Sequence, residues 1–345
     1  MLGEERGVDE RRSPSRSTTL VIPVHRGRER ALARLLQTIA DAAPSAFSPV
    51  DILIVSRDIP DIETRASALA RAFSLPIRGL YVPGARTLAE LRNAGLHAVA
   101  TEWVHFLDSD TVLLPDHFVR LECAVTARDH SIACFQLDFA PAPPRSRWAR
   151  YEAEIDRWAI GRYVRPEGVR GLNGMGVLAR VRDLCAVGGF DPELVAAEDI
   201  ELGYRLFRAG VSVALLDAVR VIHDYPSRLR DVLRRKFWHG QGYGLFLARH
   251  PEFLRHLIVA PRPSLSALLR RPLFLVYLLI SHVVFFAGAA VALWRRWRAR
   301  ASSKESACAA LADAPGGRPT SDSPSGTLPA PLPPRGRDAA KHARG

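Results

Sequence analysis

In the first third of the chain, short apolar runs alternate with stretches of helical periodicity. Thr19–Val24 (TLVIPV), Asp51–Ser56 (DILIVS), Ile77–Val82 and Trp103–Leu107 (WVHFL) are nearly continuous apolar segments of strand length. Between them, Leu32, Leu35, Leu36 and Ile39 recur at helical spacing. A second helix is predicted over about 62–73, and Leu88, Leu91, Gly95 and Ala98 mark the face of a third. Strands of this kind alternating with helices predict a parallel sheet covered on both faces. In such sheets ligands bind beyond the carboxyl ends of the strands, so the residues just after Val24, Val55, Val82 and Leu107 are predicted to rim a site.

The second half is mixed. Ile132–Phe139 reads as a strand and Trp148–Ile160 as a helix. Gly171–Gly176 reads as a glycine-rich loop and Gly188–Gly189 as a turn. Glu198–Arg208 reads as a helix stopped by Gly210. Val211–Leu216 and Val219–Ile222 read as two strands ending at His223, and a basic helix follows over about 228–249. Pro272–Trp294 has no Asp, Glu, Lys or Arg in 23 residues. As a helix it would span about 34 Å, enough for a hydrocarbon core of about 30 Å. It is predicted to be a transmembrane or membrane-associated helix, with Tyr277 and Trp294 at interfaces. The arginines beyond Trp294 favour a cytosolic tail, which would place the folded part outside; a re-entrant or in-plane helix avoids that conflict. The predicted division is a disordered tail 1–17, a catalytic domain 18–250, a linker 251–271, the apolar helix 272–294 and a basic disordered tail 295–345.

Composition changes this picture little. The formal net charge is +12, but only Lys236, Lys304 and Lys341 are lysines among 48 basic residues. Arginine, alanine and proline richness together reflect a GC-rich coding sequence, which weakens the charge as a sign of nucleic-acid binding. About half of the excess also sits in 295–345, and a basic face interleaved with aromatics occurs only near Arg228–Trp238, which suits anionic lipid better. The spacing of Cys123, Cys134, Cys185 and Cys308 fits no metal or redox motif. Three of them have apolar surroundings and read as small core residues of a reducing compartment. The charged stretch 1–17 has no signal-peptide core, so the predicted location is the cytoplasmic face of the cell membrane.

Three segments carry candidate chemistry. Phe106-Leu107-Asp108-Ser109-Asp110 puts two carboxylates at the end of a buried strand, where they could share a hard divalent cation that clamps a diphosphate. Alone, such a pair is also a common solvated turn. Glu198-Asp199 opens a helix, where acidic residues are favoured by the macrodipole in any case. His223 follows an apolar strand, a position that more often holds a structural histidine than a ligand.

In order and spacing, these segments resemble the inverting family-2 glycosyltransferases of the GT-A fold, from Thr19 to about Leu247. TLVIPVHRGRERALARLLQTI is similar to that family's opening strand and helix. LRNAGLHAVATEWVHFLDSDTVLLP resembles its ARN-to-FLDSD stretch. GLNGMGVLARVRDLCAVGGFDPEL resembles its acceptor-side segment, and EDIELGYRLFRAG its ED helix. The resemblance implies an α/β fold with a mixed sheet flanked by helices, and transfer of a sugar from a nucleotide-sugar donor to a glycan, lipid or small-molecule acceptor. It implies Mn²⁺ or Mg²⁺ held by Asp110, Asp108 and His223, and Asp199 as general base with Glu198 beside it. Donor binding would involve Pro23, Arg57, Arg92, Asp108 and Asp110, and His239 and Gly240 would fall in a mobile post-catalytic segment. Such chemistry needs one base, an in-line attack and a stabilised leaving group, and no covalent nucleophile.

One departure stands out. The family's acidic DDGS after the second strand, where an aspartate contacts the nucleobase, reads Val55-Ser56-Arg57-Asp58 here, with Asp58 displaced by two. Arg57 could instead meet a phosphate or an acidic sugar. This departure leaves room for a degenerate homologue acting as a membrane scaffold. A sugar nucleotidyltransferase would need a glycine-rich loop after the first strand, and PVHRGRER offers one glycine.

Overall fold

The computed structural model describes residues 17–129, 131–165, 168–257 and 269–312. Met1–Arg298 and Ala299–Gly345 form separate compact units, and the architecture below is that of the first.

The four apolar runs become β1 (Thr18–Pro23), β2 (Asp51–Ser56), β3 (Ile77–Tyr81) and β4 (Trp103–Leu107), paired in parallel in the order β3-β2-β1-β4. Every residue of β1 and β4 is buried, as expected of strands covered on both faces. The connecting helices are α1 (Glu29–Ala40), α2 (Ile62–Phe73) and α3 (Leu88–His97). α1 buries Leu32, Leu35, Leu36 and Ile39, one stripe at helical period. α2 ends where Ser74 turns left-handed. α3 is capped by the Thr87 side chain, which accepts from the Glu90 backbone N–H.

Past β4 the sheet stops being parallel. β5 (Thr111–Leu113) crosses to the far edge, and α4 (His117–Thr126), β6 (Cys134–Pro141) and α5 (Arg147–Tyr163) follow. The short hairpin β7 (Val164–Arg165) and β8 (Gly168–Val169) leads to β9 (Gly176–Arg180), which inserts antiparallel between β4 and β6. Then come α6 (Val181–Ala186), α7 (Glu198–Arg208) and β10 (Val213–His223). The full order is β3-β2-β1-β4-β9-β6-β10-β5, a mixed sheet. The two strands predicted within 211–222 are one strand, β10, whose register against β6 shifts between Leu216 and Arg220, so a bulge absorbs the polar break between them. β5, α4, β9 and α6 are not anticipated by the sequence pattern.

α8 (Leu229–Arg249) is followed by a 3₁₀ turn (Pro251–Phe253) and α9 (Leu254–Leu257). The start of the predicted linker is therefore part of the domain, because Phe253 is fully buried against Tyr204 and Phe246. α10 (Pro272–Ala312) contains the apolar run. Among the described residues it alone is long and apolar enough to cross a membrane. It stays helical to Ala312, well into the tail predicted to be unstructured, where the alanine-rich ACAALA favours helix. The rest of that tail and residues 1–16 lie outside the described residues. Of the cysteines predicted to be core residues, Cys134 is buried, whereas Cys123 and Cys185 are exposed on helix surfaces.

Candidate active site

β4 ends at Leu107, and Asp108-Ser109-Asp110 carries the chain into β5. β5 pairs antiparallel with the end of β10, which sets His223 opposite Thr111. That pairing brings three distant residues together: ligand atoms of Asp108, Asp110 and His223 all lie within 4.8 Å of one another. His223 is 4% exposed and its Nδ1 has no hydrogen-bond partner, while Nε2 lies 3.5 Å from Asp110 Oδ1. Arg28, just before α1, donates to Asp110 Oδ2 at 3.1 Å. Burial opposes ionisation of Asp110, but the hydrogen bond and charge of His223 and the Arg28 guanidinium outweigh it and hold the carboxyl well below the usual range. Two carboxylates and an imidazole form a donor set that suits Mn²⁺ or Mg²⁺.

A second acidic group stands on α7. Ala197, which precedes it, is held left-handed at φ 63° and is buried, so the helix opens into the cleft at a strained turn. Arg92 of α3 reaches under this turn with 2% exposure. Its guanidinium ion-pairs with Glu198 through Nη1 and with Asp108 through Nη2, the latter at 2.8 Å. One fork thus ties the DxD turn to the start of α7, and surrounding carboxylates keep Arg92 charged despite its burial. Gly174 has no side chain for a reason: a Cβ there would collide with the Arg92 guanidinium.

Glu198 and Asp199 differ in their partners. Glu198 is buried on Arg92, and desolvation pushes its carboxyl up to about 7 against that pull. Asp199 is half-buried; Oδ2 accepts from Gly174 N at 2.6 Å and Oδ1 from Ile200 N at 2.8 Å. Desolvation also raises Asp199, against the opposing influence of Arg92 and the two N–H groups. Asp108, Arg92, Glu198 and Asp199 all line one cleft of about 240 Å³.

Further lining comes from α5 and α8, and of it the resemblance pointed only to His239. Asp156, Arg235, Trp238 and Tyr243 line the cleft together with the predicted His239. Burial and the charges of Arg235 and Lys236 push His239 down to about 3, so it faces the cleft neutral. Gly240 turns the other way, against α10. Gln136 and Asn173 brace the floor: Gln136 Oε1 accepts from Asn173 N at 2.6 Å. The signal for this floor is a polar residue inside an apolar strand, as with Gln136 in β6.

The remaining predicted donor residues lie at the ends of β1 and β2. Pro23 closes β1 and is buried. Arg57 donates to the backbone carbonyls of Ala85 (3.4 Å) and Arg86, which pins the loop before α3. Asp58 folds back: its Oδ1 accepts from Ser56 Oγ at 3.0 Å and from Arg26 N at 3.1 Å, across the mouth between β1 and β2.

Comparison with known proteins fits this architecture. A family profile, glycosyltransferase like family 2, matches residues 14–241. The pre-mycofactocin glycosyltransferase of Mycobacterium tuberculosis is 29% identical over 195 residues, which is 53% of this chain and 40% of that protein. The chain therefore spans well under half of that relative's length. The succinoglycan biosynthesis protein ExoA of Rhizobium meliloti is 37% identical over 84 residues, 24% of each chain. Among solved structures, the mannosyltransferase PcManGT of Pyrobaculum calidifontis, determined with GDP-Man and Mn²⁺, superposes with a TM-score of 0.54 at 15% identity, covering 86% of this chain and 80% of that one. The fold is accordingly GT-A, and with the profile matched along most of the described domain, the chain belongs to glycosyltransferase family 2.

Proposed function

We propose that the protein transfers a sugar, with inversion, from a nucleotide-diphosphate donor to a hydroxyl of a glycan, lipid or small-molecule acceptor at the cytoplasmic face of the membrane. The observation that carries this reading is the convergence of Asp108, Asp110 and His223 within 4.8 Å of one another, with Asp108 and Asp199 lining the same cleft. Asp108, Asp110 and His223 would hold Mn²⁺ or Mg²⁺, which neutralises charge growing on the departing diphosphate. Asp199 takes the proton of the acceptor hydroxyl as its oxygen bonds to the anomeric carbon; the bond to the diphosphate breaks, and the nucleoside diphosphate leaves with the electron pair. Glu198 is committed to Arg92, so Asp199 is the carboxylate left for proton transfer. Burial that raises Asp199 makes it a stronger base than an exposed aspartate. The refolded Asp58 offers an acceptor group near the place the family uses for the nucleobase, although the motif differs.

Calorimetry with UDP, GDP, dTDP and CDP, with and without Mn²⁺, tests the donor site. Metal-dependent binding of one nucleotide is expected, weakened at least tenfold in Asp110→Asn. Asp199→Asn should keep that binding and lose at least a hundredfold in transfer rate; near-normal turnover would remove Asp199 as the base.

A further inference from the structure

α10 has two unlike faces. Its inner face is closed on the domain: Phe274, Tyr277, Ser281 and Ala292 are buried. The Tyr277 hydroxyl donates to buried Glu152 of α5, which also receives Lys236 Nζ of α8 at 3.0 Å. Arg271 clamps Glu154 at 2.7 and 2.9 Å. Glycines bring α8 and α10 backbone to backbone. A Cβ on Gly240 would strike the Phe285 carbonyl, one on Gly288 would strike the Phe237 carbonyl, and one on Gly244 would lie 2.9 Å from Ala289 Cα. These contacts run from Phe274 to Ala292, nearly the whole apolar run.

The outer face is a continuous apolar stripe open to solvent. Val276, Leu279, Val283, Phe286 and Trp297 are 51%, 66%, 61%, 63% and 67% exposed. Arg270 and Arg271 stand before the stripe, and Arg295, Arg296 and Arg298 behind it. The partner chemistry follows from this layout. The stripe is about 30 Å long at about 1.5 Å per residue, with indole rings and guanidinium groups at its end. An exposed apolar stripe with arginines at both ends and indoles at one matches the boundary between acyl chains and anionic headgroups, while Tyr277, expected at an interface, is instead buried on the inner face.

Crossing the bilayer is incompatible with the inner face. α8 bears Arg230, Arg234, Arg235 and Lys236 and lines the catalytic cleft with its far side. Were α10 to span hydrocarbon with its contacts intact, α8 and those charges would go with it.

We propose that the outer stripe of α10 lies flat in the interfacial layer of an anionic bilayer, and that the chain does not cross it. The inference stands apart from the sugar-transfer reading, because its test needs no turnover. The native cysteines are the probes. Cys185 is exposed on the catalytic domain, and Cys308 lies beyond the apolar run. Full-length chains retaining only one of these are expressed in cells. They are then treated with a membrane-impermeant maleimide in sealed inverted vesicles and in intact spheroplasts. Both cysteines should react from the same side; reaction from opposite sides means a spanning helix and overturns the proposal. Purified full-length protein should also bind phosphatidylglycerol-containing vesicles at least tenfold more tightly than phosphatidylcholine vesicles. The double substitution Val283→Glu and Phe286→Glu should reduce that binding at least tenfold with an unchanged thermal midpoint, since both side chains are solvent-facing. No vesicle binding, or a dimer that the same substitutions dissolve, would overturn it in favour of no lipid contact or of a second copy.

Discussion

At the scale of single residues, Arg92 organises the site. It is a large, fully buried cation whose two arms hold carboxylates from the turn after β4 and from the start of α7. Removing one partner of a buried pair leaves the other charge uncompensated. Arg92→Gln should therefore cost about 3–5 kcal/mol in urea unfolding. A loss below about 1 kcal/mol would mean that the fork is solvated. Asp199 gives a second prediction. Its carboxyl is raised by burial, and only the ionised form accepts a proton. Transfer should thus fall as pH drops through a value above the ordinary aspartate range, measured as an acidic limb in kcat/KM; a limb near the unperturbed 3.8 would contradict the assignment. The sequence made Asp108 and Asp110 visible as a pair just after one apolar strand and His223 at the end of another. Arg28, Asp156 and Arg235 were not visible. They lie on helices or helix approaches whose orientation only tertiary packing sets, and a surface arginine has the same sequence signature.

At the scale of elements, α8 acts as a partition. Gly240 and Gly244 face α10, and a Cβ on Gly242 would strike the carbonyl of Ala196, next to the strained Ala197 that opens α7. One helix thickness separates the catalytic turn from the apolar helix. Gly244→Leu should force the two helices apart and destabilise the domain by about 1–3 kcal/mol, read from chemical denaturation. Stability equal to the parent would mean that α10 is not seated on α8. The elements also show what a sequence pattern can resolve. β1 to β4 were legible because their apolar runs alternate with three stretches of helical period, α1 to α3. β9 was not, since GVLAR is short and its partners β4 and β6 are remote in sequence. β5 has three residues, too few for any period to emerge.

At the scale of the whole molecule, the apolar helix is part of the fold and not an appendage. Phe274 and Tyr277 form a cluster with Val232, packed on Trp148 and Tyr151. A chain ended before Pro272 loses the burial of two large side chains, at about 1.5–3 kcal/mol each. It should unfold at a clearly lower denaturant midpoint than the full chain; an unchanged midpoint would make α10 a passive anchor. The thickness of α8 has a further consequence. With the outer stripe of α10 seated in headgroups, the cleft stands only a helix or two above them, at about 10 Å per helix. An acceptor carried by a lipid then never has to leave its leaflet to be glycosylated. For such an acceptor, encounter would be counted per unit area and not per unit volume: at a fixed donor concentration, spreading it over more inert lipid would slow the reaction, while a larger volume of the same buffer would leave it untouched.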